Sequence, residues 1–195
     1  MGTLPADLTS ETRTERARLA GILADLRPEQ WDLPSLCDGW RVREVLAHLT
    51  MPFRTKPIEV IAGLVRARFS FNRYADRDAR STARALSEAD LVDLLRRNIG
   101  NPWQPPGGGA AGALSHDVIH GLDITESLGL PSAPPERIAL VLGSTNPRQL
   151  KYFGADLDGR KLVAIDADVS VGDGPTVVTM TAKEILLVVT GRRPV

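Results

Sequence analysis

Three residues carry most of the chemistry this sequence can offer: His48, His116 and His120, the chain's entire histidine complement. Two of them lie in the hexapeptide Ser115-His116-Asp117-Val118-Ile119-His120. On a helix, a spacing of four turns the second side chain only ~40° from the first. It also sets the two Cβ atoms about 6 Å apart. Both imidazoles then reach a single ion, each at ~2.0 Å. His48 stands near the end of another helical segment, on or beside its apolar stripe. A histidine on one helix facing a pair on another is how helical bundles build metal sites. A single helical histidine is more often a core or surface residue than a ligand, and an HxxxH pair also arises by chance. Economy weighs on the other side, since all three fall in predicted helices and none is left for incidental duty.

Three neutral nitrogens leave a fourth coordination position open, the pattern of a catalytic rather than a structural zinc. An open Lewis-acid ion binds a thiol as thiolate or lowers the pKa of water. Imidazole alone does not choose the metal, because zinc, nickel, copper and iron all accept it. Asp117 and Asp123 are candidates to orient the rings from behind. Asp123 lies three residues past His120 on roughly the same face, and its ordinary reading is a surface or capping residue. Cys37 reads better as a buried or half-buried structural thiol than as a nucleophile. Trp40 and Trp103 can line a pocket, although tryptophan is usually core. The loop Pro105 to Gly109 precedes the HxxxH helix and lacks the lysine of a phosphate loop.

The elements that must position these residues follow from periodicity. Thr9 to Leu26 predicts a first helix, capped by Thr9 or Ser10, with Leu19, Ile22, Leu23 and Leu26 at helical spacing. Arg27-Pro28 ends it, and Pro28 to Trp40 reads as a packed irregular connection. Arg41 to Thr50 is a second helix with Asp38 as its cap. Pro57 opens a helical stretch that runs, with a break, to about Ala85. Ser87 and Asp90 mark another N-terminus. Asn101 to Gly109 is a Pro/Gly loop, and Ala110 to Leu128 is a helix that Gly129 ends. Pro134 to Leu142 is one more short helix. Lys161 to Val171 and Thr176 to Thr181, with Gly172-Asp173-Gly174 between them, read as a β-hairpin. Ala182 to Val189 closes the chain as a helix. The fold class is therefore mainly α, a helical bundle over residues 1–149 followed by a small α/β extension over 150–195.

Composition narrows the classes. The chain has 195 residues, 43% hydrophobic and 25% charged, enough to bury a core. Lys and Arg number 24 and Asp and Glu number 24, so the formal net charge is zero. No nucleic-acid partner is expected from that balance. Met1 to Leu8 lacks a signal-peptide profile, and no apolar run spans a bilayer, so a cytoplasmic location is expected. The one cysteine cannot form an intramolecular disulfide. Arginine outnumbers lysine twenty to four, a bias of GC-rich genomes.

Two blocks resemble a known family. Trp31-Asp32-Leu33-Pro34-Ser35-Leu36-Cys37-Asp38-Gly39-Trp40, followed by Val42 to Leu49, is similar to the N-terminal signature of the mycothiol-dependent maleylpyruvate isomerase family, within the DinB-like metal-binding superfamily. His116-Asp117-Val118-Ile119-His120-Gly121-Leu122-Asp123-Ile124 resembles its second metal motif. The tail is similar too, at Gly159 to Asp166, Gly172 to Pro175 and Leu186 to Arg192, while residues 51–109 are least distinctive. The isomerase pattern often has Glu where this chain has His116, and three histidines are the pattern of the broader superfamily. It also often has Thr or Ser where this chain has Arg41.

The resemblance implies a DinB-like four-helix bundle with a divalent metal, usually zinc with nickel as the alternative, held by His48, His116 and His120. It implies mycothiol as a thiol cosubstrate and an isomerase or S-transferase acting on a small electrophile. It gives an arginine near the chain end catalytic importance, which falls on Arg192. That residue can pair with a substrate carboxylate, or be a solvated terminal charge. The arginine bias fits a mycothiol-making actinobacterium. Neither nucleic acid nor membrane is an expected partner, and monomer and homodimer both stay open. Two alternatives stand beside this reading: a non-catalytic metal-binding protein on the same scaffold, and a metal-dependent hydrolase with Asp117 or Asp123 as base.

Overall fold

A computed structural model describes residues 7–145 and 147–194. Most of the stretch Met1 to Leu8, read above for a targeting signal, lies outside them. The elements run α1 (Leu8–Ala24), a 3-10 turn (Pro28–Asp32), α2 (Val42–Leu49), α3 (Met51–Arg54), α4 (Pro57–Arg66), α5 (Phe71–Ala85), α6 (Glu88–Arg97), α7 (Gly109–Leu128), α8 (Pro135–Gly143) and α9 (Pro147–Phe153). They continue with β1 (Arg160–Ala164), β2 (Ser170–Val171), β3 (Thr176–Met180) and α10 (Ala182–Val189). The protein is thus mainly helical with a small C-terminal sheet, as the periodicity predicts.

α1 packs on α6 and α7, and α2 packs on α5, α6 and α7. Leu19 and Leu23 of α1, Val42, Val45, Leu46 and Leu49 of α2, Leu91 and Leu95 of α6 and Ile124 of α7 close the bundle core around Trp31. Each fully buried aliphatic side chain contributes about 1.5–3 kcal/mol, so this stripe-on-stripe contact is what holds α2 against α7. The apolar period also continues beyond the leucines of α1: Thr12, Glu15 and Arg16 are buried on the same face.

The capping residues differ from the sequence reading. Asp7, not Thr9 or Ser10, caps α1, accepting from the Thr9 N–H at 3.0 Å. The α2 terminus is capped by Glu44, whose Oε2 accepts the Arg41 N–H at 2.9 Å, and Asp38 takes no part. Ser87 caps α6 as expected, and Gly129 closes α7 in the left-handed conformation. The break expected after Pro57 falls at Arg68 and Phe69, both with positive φ.

The C-terminal unit corrects the predicted hairpin. The strand order is β2-β1-β3; β1 and β2 are antiparallel, while β1 and β3 are parallel, with Leu162 opposite Val178. The tight turn lies at residues 165–168, where the Ala164 N–H reaches the Val169 carbonyl at 3.0 Å. Gly172-Asp173-Gly174-Pro175 instead carries the chain across the start of β1 to its far edge. A Cβ on Gly174 would sit 1.7 Å from the Gly159 carbonyl oxygen, and one on Gly172 2.5 Å from that of Arg160. These glycines serve a backbone crossing and not a hairpin turn.

The core does not part at residue 149. Leu114, Val118 and Leu122 of α7 and Ile138 and Leu142 of α8 form one cluster with Leu162, Val171, Ile185, Leu186 and Val189. α7 therefore serves two cores at once, the bundle on one side and the sheet with α10 on the other. No helix among the described residues is long and apolar enough to cross a membrane.

Gly174→Ala is expected to lower stability by about 3 kcal/mol or more, because the crossing must open to admit the methyl group. Thermal unfolding of the variant against the parent checks this, and an unchanged midpoint would refute the crossing.

Candidate metal centre

α7 delivers His116 and His120 from successive turns, and α2 delivers His48 from its last turn. The structure brings the three rings together. Centroids lie 5.2 Å apart for His48 and His116, 4.8 Å for His48 and His120, and 5.1 Å for His116 and His120. One ligand atom from each falls within 4.8 Å of the others. Three nitrogens around a single ion at ~2.0–2.1 Å need only a modest contraction from that spacing.

The outer partners orient two of the rings. His116 Nδ1 pairs with Asp117 Oδ1 at 2.9 Å, and Asp117 Oδ2 accepts from Arg16 Nε at 2.7 Å. His120 Nδ1 pairs with Asp123 Oδ2 at 2.9 Å, and Asp123 accepts from both Nε and Nη2 of Arg192 at 2.9 Å. Each α7 histidine is thus backed by a carboxylate, and each carboxylate by an arginine. An imidazole that donates from Nδ1 keeps its Nε2 lone pair for an ion, and a carboxylate partner raises its basicity. His48 has no such partner. It is 5% exposed, and its Nδ1 is buried without a hydrogen bond among the described residues. A buried unpaired ring nitrogen costs free energy unless something binds it. This orphaned nitrogen, with an all-imidazole donor set, fits a divalent transition-metal ion.

Burial holds His48 well below its ordinary pKa, and the neighbouring histidines add to that effect. Burial also lowers His120, against the opposing pull of Asp123. Both rings are therefore neutral and able to donate a lone pair near neutral pH. Burial alone would push the Asp123 carboxyl up, but the hydrogen bonds from His120 and Arg192 outweigh it and hold it far below the carboxylate range.

Cys37 belongs to the same cluster. Its Sγ donates to Asp123 Oδ2 at 2.9 Å and lies 3.7 Å from His120 Nδ1. Burial and then the Asp123 charge push its thiol far up. The thiol fills one acceptor site of Asp123, and Cys37, His120 and Asp123 also bring one ligand atom each within 4.8 Å of one another. The indoles flank the centre, with Trp40 5.2 Å from His48 and Trp103 5.3 Å from His116. Trp40 is anchored from behind by Asp76 at 2.8 Å.

Arg192 reaches the centre from the far end of the chain. Gly191, at φ +72, lets the backbone turn after α10, and a Cβ there would meet the Phe153 carbonyl at 2.8 Å. The Arg192 fork points at Asp123, and its Nη1 donates to the Thr190 carbonyl at 2.8 Å. The carboxylate it binds here is the chain's own Asp123, so it is not the solvated terminal charge that sequence left open beside a substrate-binding role. Arg16 has no counterpart in the sequence reading, yet a signal existed. It lies three and seven residues before Leu19 and Leu23, on the apolar stripe of α1, and a buried arginine there needs an acid partner. Its Nη1 also donates to the Asn101 carbonyl at 2.7 Å, tying down the loop that carries Trp103. Two surface hollows among the described residues lie outside the histidine cluster, one along the arginines of α5 and one beside Arg192.

Comparison with known proteins gives a consistent picture. Residues 12–101 match the family model of the mycothiol maleylpyruvate isomerase N-terminal domain, which bears out the resemblance read from sequence. The whole chain is similar to two crystal structures of the mycothiol-dependent maleylpyruvate isomerase. A histidine-to-alanine mutant aligns with TM-score 0.64 and 13% identity over 99% of this chain and 93% of that one. The second aligns with TM-score 0.57 and 14% identity over 99% and 93%. At these identities the likeness is one of fold. No curated protein matches the sequence.

Asp123→Asn is expected to weaken zinc affinity about 10–100-fold, because His120 loses the charge that orients it. Arg16→Met, acting through Asp117, should weaken it in the same direction. Cys37→Ser should leave it nearly unchanged. Competition with a chromogenic chelator measures all three; equal affinities across the set would refute the relays.

Proposed function

Taking residues 12–101 as a mycothiol maleylpyruvate isomerase N-terminal domain, we propose that the protein is a metal-dependent enzyme that uses mycothiol. It acts as an isomerase or S-transferase on a small electrophile. The observation that carries this reading is the convergence of His48, His116 and His120, with one buried ring nitrogen unpartnered and the other two rings backed by carboxylates. These three residues would hold the ion, zinc first and nickel as the alternative. A divalent ion with an open position lowers the pKa of a bound thiol, so that thiolate exists at neutral pH.

The chain's own residues supply the rest. Three neutral imidazoles leave the full charge of the ion uncompensated, which favours an anionic sulfur over a neutral one. Trp40 and Trp103 wall the centre with apolar surface and restrict water there. Arg16 and Arg192 neutralise Asp117 and Asp123, so the two carboxylates orient histidines without opposing an incoming anion. The cytoplasm remains the expected location, where low-molecular-weight thiols are reduced.

The hydrolase alternative needs a general base at the centre. Asp117 and Asp123, the carboxylates considered for it, are each held in an ion pair with arginine. That engagement disfavours the hydrolase and leaves the non-catalytic scaffold as the rival.

The test loads the full chain with zinc, or with nickel, and offers mycothiol with maleylpyruvate or with a chromogenic alkylating electrophile. Expected is turnover that requires both metal and thiol and falls at least about a hundredfold in His48→Ala and His120→Ala. Turnover without thiol would replace this reading with the hydrolase. One equivalent of bound metal without any thiol-dependent turnover would replace it with the metal-holding scaffold.

A further inference from the structure

Arginine crowds one face of α5. Arg73, Arg77, Arg80 and Arg84 follow at intervals of four, three and four. That spacing keeps them within about 60° of one another around the helix and spreads them along ~16.5 Å of its axis. Together with Asp76 and Ser81 they line a hollow of about 700 Å3, a size within the range of small-molecule sites. Four arginines against one aspartate leave a surplus of three positive charges there, in a chain whose formal net charge is zero.

Local structure does not account for these charges. Arg73 with Arg77, and Arg80 with Arg84, are like-charge pairs at i,i+4, which destabilise a helix. Arg73 stands in the first turn of α5, the end at which the macrodipole disfavours a cation. The side chains of Arg73, Arg77 and Arg84 are exposed and form no hydrogen bond or ion pair among the described residues. Arg80 differs, since its Nε donates to Asp76 Oδ1 and its Nη2 to the Gly39 carbonyl, both at 2.8 Å. Asp78, the other acid of this helix, is engaged by Arg54. One guanidinium is thus fixed in place, and three others stand unneutralised around it.

We infer that this hollow binds a free small molecule carrying two phosphate groups. Arginine pairs bidentately with phosphate. Two phosphate monoesters carry a charge of about −3 to −4, which the surplus of three matches. Asp76 Oδ1 already accepts from Trp40 and Arg80, so Oδ2 is left to accept from a hydroxyl of the ligand. The lining holds no aromatic side chain on which a base could stack. It also holds no large apolar side chain that would enter a lipid layer. The hollow therefore suits a small phosphorylated molecule better than a nucleic acid or a membrane. It meets the metal centre only through Trp40, whose Nε1 donates to Asp76 at 2.8 Å and whose ring lies 5.2 Å from His48. None of the three histidines takes part, so the site stands or falls independently of the proposed chemistry.

The probe is fructose bisphosphate, titrated calorimetrically into the zinc-loaded full chain at about 0.1 M salt. Expected is one site with a dissociation constant of about 10–100 µM. Inorganic phosphate, which reaches fewer of the arginines, should bind at least about tenfold more weakly. Arg77→Glu and Arg84→Glu should each weaken the bisphosphate at least about tenfold. Neither should lower the thermal midpoint, because each removes a like-charge contact. Arg13→Glu, at an exposed arginine of α1, should leave binding unchanged, and so should His48→Ala. Absence of binding at about 1 mM probe overturns the proposal. So does an affinity that Arg77→Glu and Arg84→Glu leave intact, and so does an equal loss in Arg13→Glu. Tighter binding to single-stranded DNA, or to vesicles of a phosphate-headgroup lipid, than to the bisphosphate overturns it as well.

Discussion

A carboxylate with no solvent exposure is costly unless every lone pair has a partner, and Asp123 is 0% exposed. Four donors meet it: His120 Nδ1, the Cys37 thiol and two nitrogens of Arg192. They come from three different places in the chain. His120 shares its helix, Cys37 comes from the connection before α2, and Arg192 from beyond α10. The backbone of residue 123 joins in, since its carbonyl accepts from the Leu36 N–H at 3.0 Å. One buried charge thereby fixes the position of the first family-like segment, the second and the tail. Removing any donor leaves part of that charge unpaired, so the cluster is cooperative in the sense that pairwise contacts do not express.

The other relay repeats the logic with different elements. Asp117 is buried and paired with Arg16, whose guanidinium also lies over the Phe53 ring at 4.9 Å and holds the loop carbonyls before α7. Both aspartates stand on α7, next in sequence to a histidine or three residues beyond it; one finds its arginine on α1, which packs against α7, and the other in the turn after α10. The helix serves two cores, so it is restrained on both sides. A rigid helix carrying two ligands and two orienting acids is the arrangement that holds ligand geometry within the tolerance a metal requires. His48 differs. It arrives on α2, carried by the apolar stripe of Val42, Val45, Leu46 and Leu49, and hydrophobic packing alone sets its place.

Much of this was legible in order along the chain. The three histidines, the i, i+4 pair and the candidate orienting acids follow from residue type and helical period. The helices α1, α2, α6, α7, α8 and α10 follow from apolar spacing and terminal signals. The extension misled because Gly172-Asp173-Gly174 carries the composition of a hairpin turn. Composition states that the backbone needs freedom there, but not whether it turns or crosses. The caps at Asp7 and Glu44 were missed because several polar residues near a helix start compete, and only backbone angles choose among them.

The sequence by itself determined which side chains have metal chemistry and which faces of which helices are apolar, because both depend on residue type and on local period. Only the tertiary structure decided what those residues meet. That His48 faces the α7 pair depends on the packing of α2 against α7. That Arg192 spends its charge on Asp123, and Arg16 on Asp117, depends on contacts across 69 and 101 residues of chain. A helical period reports which face a residue shares with its neighbours over a few turns. It carries no information about the partner brought to that face from elsewhere, and a buried ion pair is defined by its partner.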